Sequence, residues 1–392
     1  MKIVLLLIFL NIFGCEFGNN GTKKVIDHSE PLALIRINGK SGFINTNGDM
    51  VIKPFCMEAG FFSEGLSKVK ISANYSTKWG YINKAGEMVI EAEFYEADDF
   101  CEGLACVKAG RKYGFIDNTG TLIVPAVYDH GFAFSEGLAQ VKIDSKWGYV
   151  DSAGNLVIPP QFDNCGKFKD GRACVKVDNK YGFIDTAGTI IVPIKYDHAF
   201  TFSEGLARIQ VGNKWGFIDT DGEMVIKPRF FELFSFRDGL AIVKFKDGWG
   251  YIDKSGKFTV NSQYMDAWPF SDGLAHVLFN GKYGYINKSD EMVIRPQFSD
   301  AGPFSDGMAF VRLSKGGEWG YIDKSGKVVI VPQFDDVGSF CEGLALVKIN
   351  KKFKSYYQKK GVKIKEDKWG YIDKSGNFVI NPKFDAAGDF KK

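Results

Sequence analysis

The chain has 392 residues, with 50 basic and 47 acidic side chains and a formal net charge of +3. So small a net charge on so long a chain excludes electrostatically driven nucleic-acid binding, and 45% hydrophobic with 25% charged residues excludes global disorder. The 45 Gly, 12 Pro and 35 Phe point to many turns between short aromatic strands rather than to long helices.

The chain opens with Met1 and Lys2, then an unbroken apolar run from Ile3 to Leu10, too short to span a bilayer. Gly14-Cys15 follows. A short signal peptide with a small residue before a cysteine resembles the lipobox of bacterial lipoproteins. That resemblance implies cleavage after residue 14 and acylation of Cys15, which would anchor the mature chain to a membrane. The alternative is an ordinary secretory signal in which Cys15 is incidental. Residues 15–31 then read as the lipidated cysteine with a polar, Gly- and Asn-bearing tether. The domain itself is expected over 32–392.

From here one unit recurs. Its clearest copy runs Lys146-Trp147-Gly148-Tyr149-Val150-Asp151, and the string has ten copies from Gly42 to Gly370, nine of them aromatic-Gly-aromatic and a weaker first one that reads Ser41-Gly42-Phe43. Between Gly80 and Gly284 the interval is a constant 34 residues. A second string, Phe134-Ser135-Glu136-Gly137-Leu138, keeps the same period. A fixed period over most of a chain is the mark of a repeat architecture. These residues resemble the WG (KWG) repeat family of bacterial proteins. The resemblance implies a β-rich, extracytoplasmic or surface scaffold and brings no catalytic residues with it.

Within the unit, Leu138 to Ile143 and Lys146 to Asp151 alternate as strands. Asp151 to Gly154 is a tight turn, with Asp capping its own backbone and Gly supplying positive φ. A third strand from Asn155 is expected to stop at Pro159-Pro160. The fold class expected is therefore all-β: ten three-stranded antiparallel β-meanders of about 34 residues, stacked in an open superhelical array. A propeller-like arrangement is the alternative. The first unit begins at its first strand and the chain stops after a third, so no split unit is evident. Ala139, Val141, Gly148 and Val150 are expected to face a neighbouring unit. Trp147, Tyr149 and Phe168 form either a second core layer or a ladder of carbohydrate-stacking platforms.

Chemistry is sparse. The cysteines form no C-x-x-C, His130 and His198 are repeat equivalents two units apart, and the Glu136-Gly and Asp170-Gly pairs recur as turns. No cofactor, metal or catalytic set is expected. Function is sought where the repeat varies. The position of Gln140 reads Arg208, Ile242, His276, Phe310 and Leu346 in later copies. If exposed, these residues form a stripe for a partner; otherwise the return loop half covers them. The second variable feature is a basic insertion, 350–368, with Tyr356, Tyr357, Lys359 and Lys360. It is either an anionic-surface contact or a solvated hairpin. Together these features predict a non-catalytic, lipid-anchored scaffold of the bacterial cell envelope, periplasmic or surface-exposed. Its partners would be a protein or glycan ligand and the membrane, with no nucleic acid. A purely structural spacer is the second possibility.

Overall fold

The computed structural model describes residues 30–73, 76–246, 248–349, 353, 358–359, 361 and 368–391. The expected signal peptide, Cys15 and most of the basic insertion, including Tyr356, Tyr357 and Lys360, lie outside these residues.

The fold is all-β, and the fourth unit shows how the sequence builds it. Asp144 and Ser145 both take positive φ, 46° and 71°. They form the tight two-residue turn that suits the twist of a hairpin between Leu138–Ile143 and Lys146–Asp151. Asp151 Oδ1 accepts hydrogen bonds from the N–H groups of Ala153 and Asn155 at 3.0 and 2.8 Å, and Gly154 sits at φ 84°. This is the turn expected from Asp and Gly at that spacing.

The third strand corrects two expectations. It runs Leu156–Phe162, straight through Pro159 and Pro160. Prolines are tolerated because the strand pairs on one side only and bulges there: Tyr149 pairs with Ile158, and Trp147 pairs next with Phe162. The bulge also explains the glycine of the aromatic-Gly-aromatic string. A Cβ on Gly182 would lie 2.6 Å from the Val192 carbonyl oxygen, and one on Gly42 would lie 2.5 Å from that of Ile52. The glycine makes room for its own sheet's bulged strand, not for a neighbouring unit.

Each unit is four-stranded rather than three-stranded. One residue after Phe162 the chain enters a two-residue strand, Asn164–Cys165, which pairs with the first strand of the next sheet. We call this the lead strand. The third strand of one sheet thus continues almost directly into the lead strand of the next. In the ninth unit the two merge into one strand, Val328–Cys341, which joins the ninth and tenth units into a seven-stranded sheet.

The ends of this succession meet. Ala386–Ala387 pairs antiparallel with Ala33–Ile37 and supplies the lead strand of the first sheet. Lys391 bridges to Leu32 as Ser63 bridges to Leu66 and Ser135 to Leu138. The last copy of the Phe-Ser-Glu-Gly-Leu string is therefore split, with Phe390-Lys391 at one end of the chain and Glu30-Pro31-Leu32 at the other. Gly48 packs on Ile380 of the tenth unit as Gly86 packs on Ile52 of the first. The individual sheets remain open, but their succession closes. The propeller-like alternative replaces the open superhelical array, and the chain does contain a split unit.

The core lies between sheets. Tyr149, Ile158 and Phe162 of the fourth sheet bury against Cys165, Phe168, Ala173, Val175 and Ile184, which belong to the fifth. Tyr149 meets Phe168 edge-on, ring centroids 4.8 Å apart. On the opposite face, Ala139, Val141 and Val150 pack on Cys106, Phe115, Val124 and Tyr128 of the third sheet. Both faces are stacking faces. Each fully buried Phe or branched aliphatic contributes about 1.5–3 kcal/mol.

Candidate functional site

The variable first-strand position is placed one per sheet, directly across from a buried ring. Arg208 pairs with Phe217, Ile242 with Tyr251, His276 with Tyr285, Phe310 with Tyr321 and Leu346 with Tyr371. These residues do not form an exposed stripe. Ile242, His276 and Leu346 are only 6, 6 and 8% exposed, and Arg208 and Phe310 are half-buried. Their side chains reach the lead-strand region, in their own sheet or in the next. Gln140 Nε2 donates to Cys165 O at 2.7 Å and an Arg208 guanidinium nitrogen donates to Leu233 O at 2.9 Å. The return segment covers the position, so its variation tunes contacts within the ring. Of the insertion residues, Lys359 is exposed.

The repeated tryptophans are also not free platforms. Trp79, Trp147, Trp249 and Trp319 are half-buried. Each lies under a cation, from Lys70, Lys142, Lys244 and Arg312 at 5.5, 5.6, 5.4 and 4.1 Å from the ring centroid. His130 and His198 stack on Tyr113 and Tyr181 of the preceding sheets, centroids 4.7 and 5.4 Å apart.

The other polar groups hold the ring together. Glu102 accepts the backbone N–H of Glu136 and of Gly137 at 2.7 and 2.9 Å, and Glu136 does the same for Asp170 and Gly171 at 2.8 and 2.9 Å. Each carboxylate braces the turn of the next sheet. Ser135 Oγ donates to Phe168 O at 2.8 Å, and where cysteine replaces this serine, Cys101 Sγ donates to Phe134 O at 3.2 Å. Burial pushes the thiol of Cys174 up to about 12 and that of Cys165 up to about 11, which keeps both protonated. Among the described residues, no group of three or more His, Cys, Asp or Glu is placed to hold a metal ion.

A second variable row, not singled out from the sequence, lies just beyond the lead strands. It is the residue two before the Phe of the Phe-Ser-Glu-Gly-Leu string. In sheets 2, 5, 9, 10 and 1 it is Gly60, Gly166, Gly302, Gly338 and Gly388, and in sheet 3 it is Asp98. In sheets 4, 6, 7 and 8 it is Phe132, Phe200, Phe234 and Trp268, which are 43, 42, 51 and 43% exposed. Each ring is backed from below. Phe132 stacks on Trp147 at 5.3 Å and 18°. The Arg208 guanidinium lies 3.6 Å from the Phe200 centroid. Phe234 leans on Trp249 at 5.9 Å, and Trp268 stacks on His276 at 5.3 Å and 12°. Burial holds the His276 imidazole down to about 4, so it is neutral, and its Nδ1 has no hydrogen-bond partner. The sequence signal was available: aromatic residues alternate with glycine at a fixed place in the repeat.

No curated protein matches the chain. Among solved structures it is similar to the extracellular domain of the hybrid two component system BT3049 from B. thetaiotaomicron, at 9% identity and a TM-score of 0.27. That match covers 90% of this chain, which spans only 57% of that domain. It is also similar to Kluyveromyces lactis Hsv2, at 8% identity, with 55% of this chain and 87% of that chain covered and a TM-score of 0.32. Virginiamycin B lyase from Staphylococcus aureus matches at 14% identity, with 59% and 94% covered and a TM-score of 0.30. The closed ring stands on its own strand pairing. The WG containing repeat matches ten times, at 42–75, 79–113, 113–147, 147–181, 181–215, 215–248, 249–283, 283–316, 319–353 and 369–392. Ten matches in phase, over nearly all of the described residues, establish that the chain belongs to the WG repeat family.

Proposed function

We propose that this chain is a non-catalytic, lipid-anchored scaffold of the bacterial cell envelope that binds a protein or glycan partner through its exposed aromatic row. The observation that carries this reading is the contrast between the two kinds of position. Residues that recur in every unit are used up in turns, braces and inter-sheet packing, whereas Phe200, Phe234 and Trp268 are non-repeated, exposed and placed on three consecutive sheets. The apolar run followed by Gly14-Cys15 supports export and acylation. The bracing role of the acids and the raised pKa values of the buried thiols support a non-catalytic role.

The test uses a Cys15→Ser protein, which should move to the soluble extracytoplasmic fraction. It is mixed with isolated cell envelopes, alongside a version that also carries Phe200→Ser, Phe234→Ser and Trp268→Ser. The unmodified row should bind, and the triple variant should bind about tenfold more weakly or worse while its melting temperature is retained. Equal envelope binding by both proteins would favour the structural spacer.

A further inference from the structure

Two copies of the variable first-strand position carry a permanent cation, Lys68 in sheet 2 and Arg208 in sheet 6. The repeat shows how the first is satisfied. Lys68 Nζ lies 3.4 Å from Asp99 Oδ1, and Asp99 stands immediately before the Phe of the string in the next sheet. Sheet 7 follows Arg208 in the same way, but there Asp98-Asp99 is replaced by Phe234-Ser235. Burial alone shifts the Arg208 guanidinium, and it shifts it downwards. That is the mark of a cation with no carboxylate close enough to offset its desolvation. The group is nonetheless held in place. Nη1 donates to Leu233 O at 2.9 Å, and Cζ lies 3.6 Å from the Phe200 ring centroid. Nε is buried without a hydrogen-bond partner. Among the described residues Nη2 has no acceptor, and the residue as a whole is only half-buried. The surface beside it is apolar, with Phe200 under the guanidinium and Phe234 next in the chain to Leu233, 42 and 51% exposed.

A partly desolvated charge without an ionic partner is costly, and a carboxylate that reaches it relieves that cost. We propose that Arg208, with Phe200 and Phe234, is the anchor point for an acidic peptide: a Glu or Asp of the partner pairs with Nη2 while its apolar neighbours pack on the two rings. The inference rests on the binding-scaffold reading and adds the chemistry of the partner. Arginine beside large aromatic rings is the combination on which protein contacts concentrate their binding energy. An acidic sugar fits less well. A uronic acid carries its carboxylate on a ring rimmed with hydroxyls, which need polar partners that Phe200 and Phe234 do not offer. A side-chain carboxylate set between apolar residues makes no such demand.

Soluble protein carrying Cys15→Ser is titrated calorimetrically with the blocked peptide acetyl-Glu-Phe-Glu-Phe-Glu-amide, with its Gln-for-Glu counterpart, and with hexagalacturonic acid. The glutamate peptide should bind about tenfold or more tightly than the glutamine peptide at low salt, and the difference should shrink at high salt. Arg208→Gln should remove the difference while the melting temperature is retained. Glutamine is the resident residue in sheet 4, where Gln140 Nε2 makes the equivalent bond, to Cys165 O at 2.7 Å. Ser235→Asp is the sharper variant, because it supplies from within the chain the carboxylate that Asp99 supplies to Lys68. It should leave the melting temperature unchanged or raised and weaken the glutamate peptide by about tenfold. Absence of glutamate-peptide binding at millimolar concentration would overturn the proposal, as would equal binding of the two peptides or a preference untouched by Arg208→Gln and Ser235→Asp. Galacturonate binding that Arg208→Gln abolishes, without peptide binding, would overturn the peptide assignment. The scaffold reading is decided separately, by the envelope assay with Phe200→Ser, Phe234→Ser and Trp268→Ser.

Discussion

His276 shows how much a single variable position is constrained by its surroundings. It is buried between Trp268 and the rings of Tyr283 and Tyr285, with centroids 5.3 to 6.2 Å away. Desolvation disfavours its charged form, so the folded chain takes up this proton only near pH 4, against an ordinary value of 6.5. Between those values the unfolded chain binds more protons than the folded one. His276 therefore costs no stability above about pH 6.5, and stability falls as the pH drops towards 4, by about 1 kcal/mol per pH unit. Replacing His276 by Leu should flatten the decline in melting temperature between pH 6.5 and 4.5 relative to the parent, as measured by thermal scans across that range. Parallel curves would mean that the imidazole is hydrated and not shut in. In the sequence this residue belongs to a row that varies from copy to copy. Periodicity identifies the positions that vary, but alternation along a strand cannot tell a face open to water from one covered by the next sheet.

At the scale of the element, the third strand and its glycine partner carry the argument. Gly182 and Gly42 each face the bulged third strand of their own sheet, at nearly the same distance from a carbonyl oxygen. Gly182→Ala and Gly42→Ala should therefore lower the melting temperature by similar amounts, each corresponding to a loss of about 1–3 kcal/mol. A much milder effect at Gly42 would mean that the first unit behaves as a loose terminal unit. The hairpins and the Asp-to-Gly turns were legible because turn chemistry is local: Asp144, Asp151 and Gly154 act within a few residues of themselves. The lead strands were not. Two residues are too few to show alternation, and a strand that continues another after a single residue leaves no turn signal between them. Pro159 and Pro160 look like a stop in sequence, because only the sheet reveals that they sit on an unpaired edge. The exposed phenylalanines were missed for a related reason. They follow a strand too short to leave a sequence signal, and the exchange of Tyr for Phe that accompanies them lies 17 residues upstream in each case, as Phe217 does for Phe234.

At the scale of the molecule, closure makes every unit an interior one and holds Phe200, Phe234 and Trp268 on one continuous frame. The clue to closure was the split string, with Phe390-Lys391 at the end of the chain and Glu30-Pro31-Leu32 at its start. Pro31 stands where the other copies have glycine, which disguised the second half. Closure is also the claim most directly open to measurement. Arg36 and Ala386 are register partners in antiparallel strands, and both are exposed. Cα atoms opposed in this way lie about 4.5–5.5 Å apart, within disulfide range. In an Arg36→Cys, Ala386→Cys protein, mild oxidation should form an intramolecular disulfide in the folded monomer, detected as faster migration on a non-reducing denaturing gel that reverts on reduction. Retention of both introduced thiols in reactive form, with cross-linking only between molecules, would contradict the closed ring.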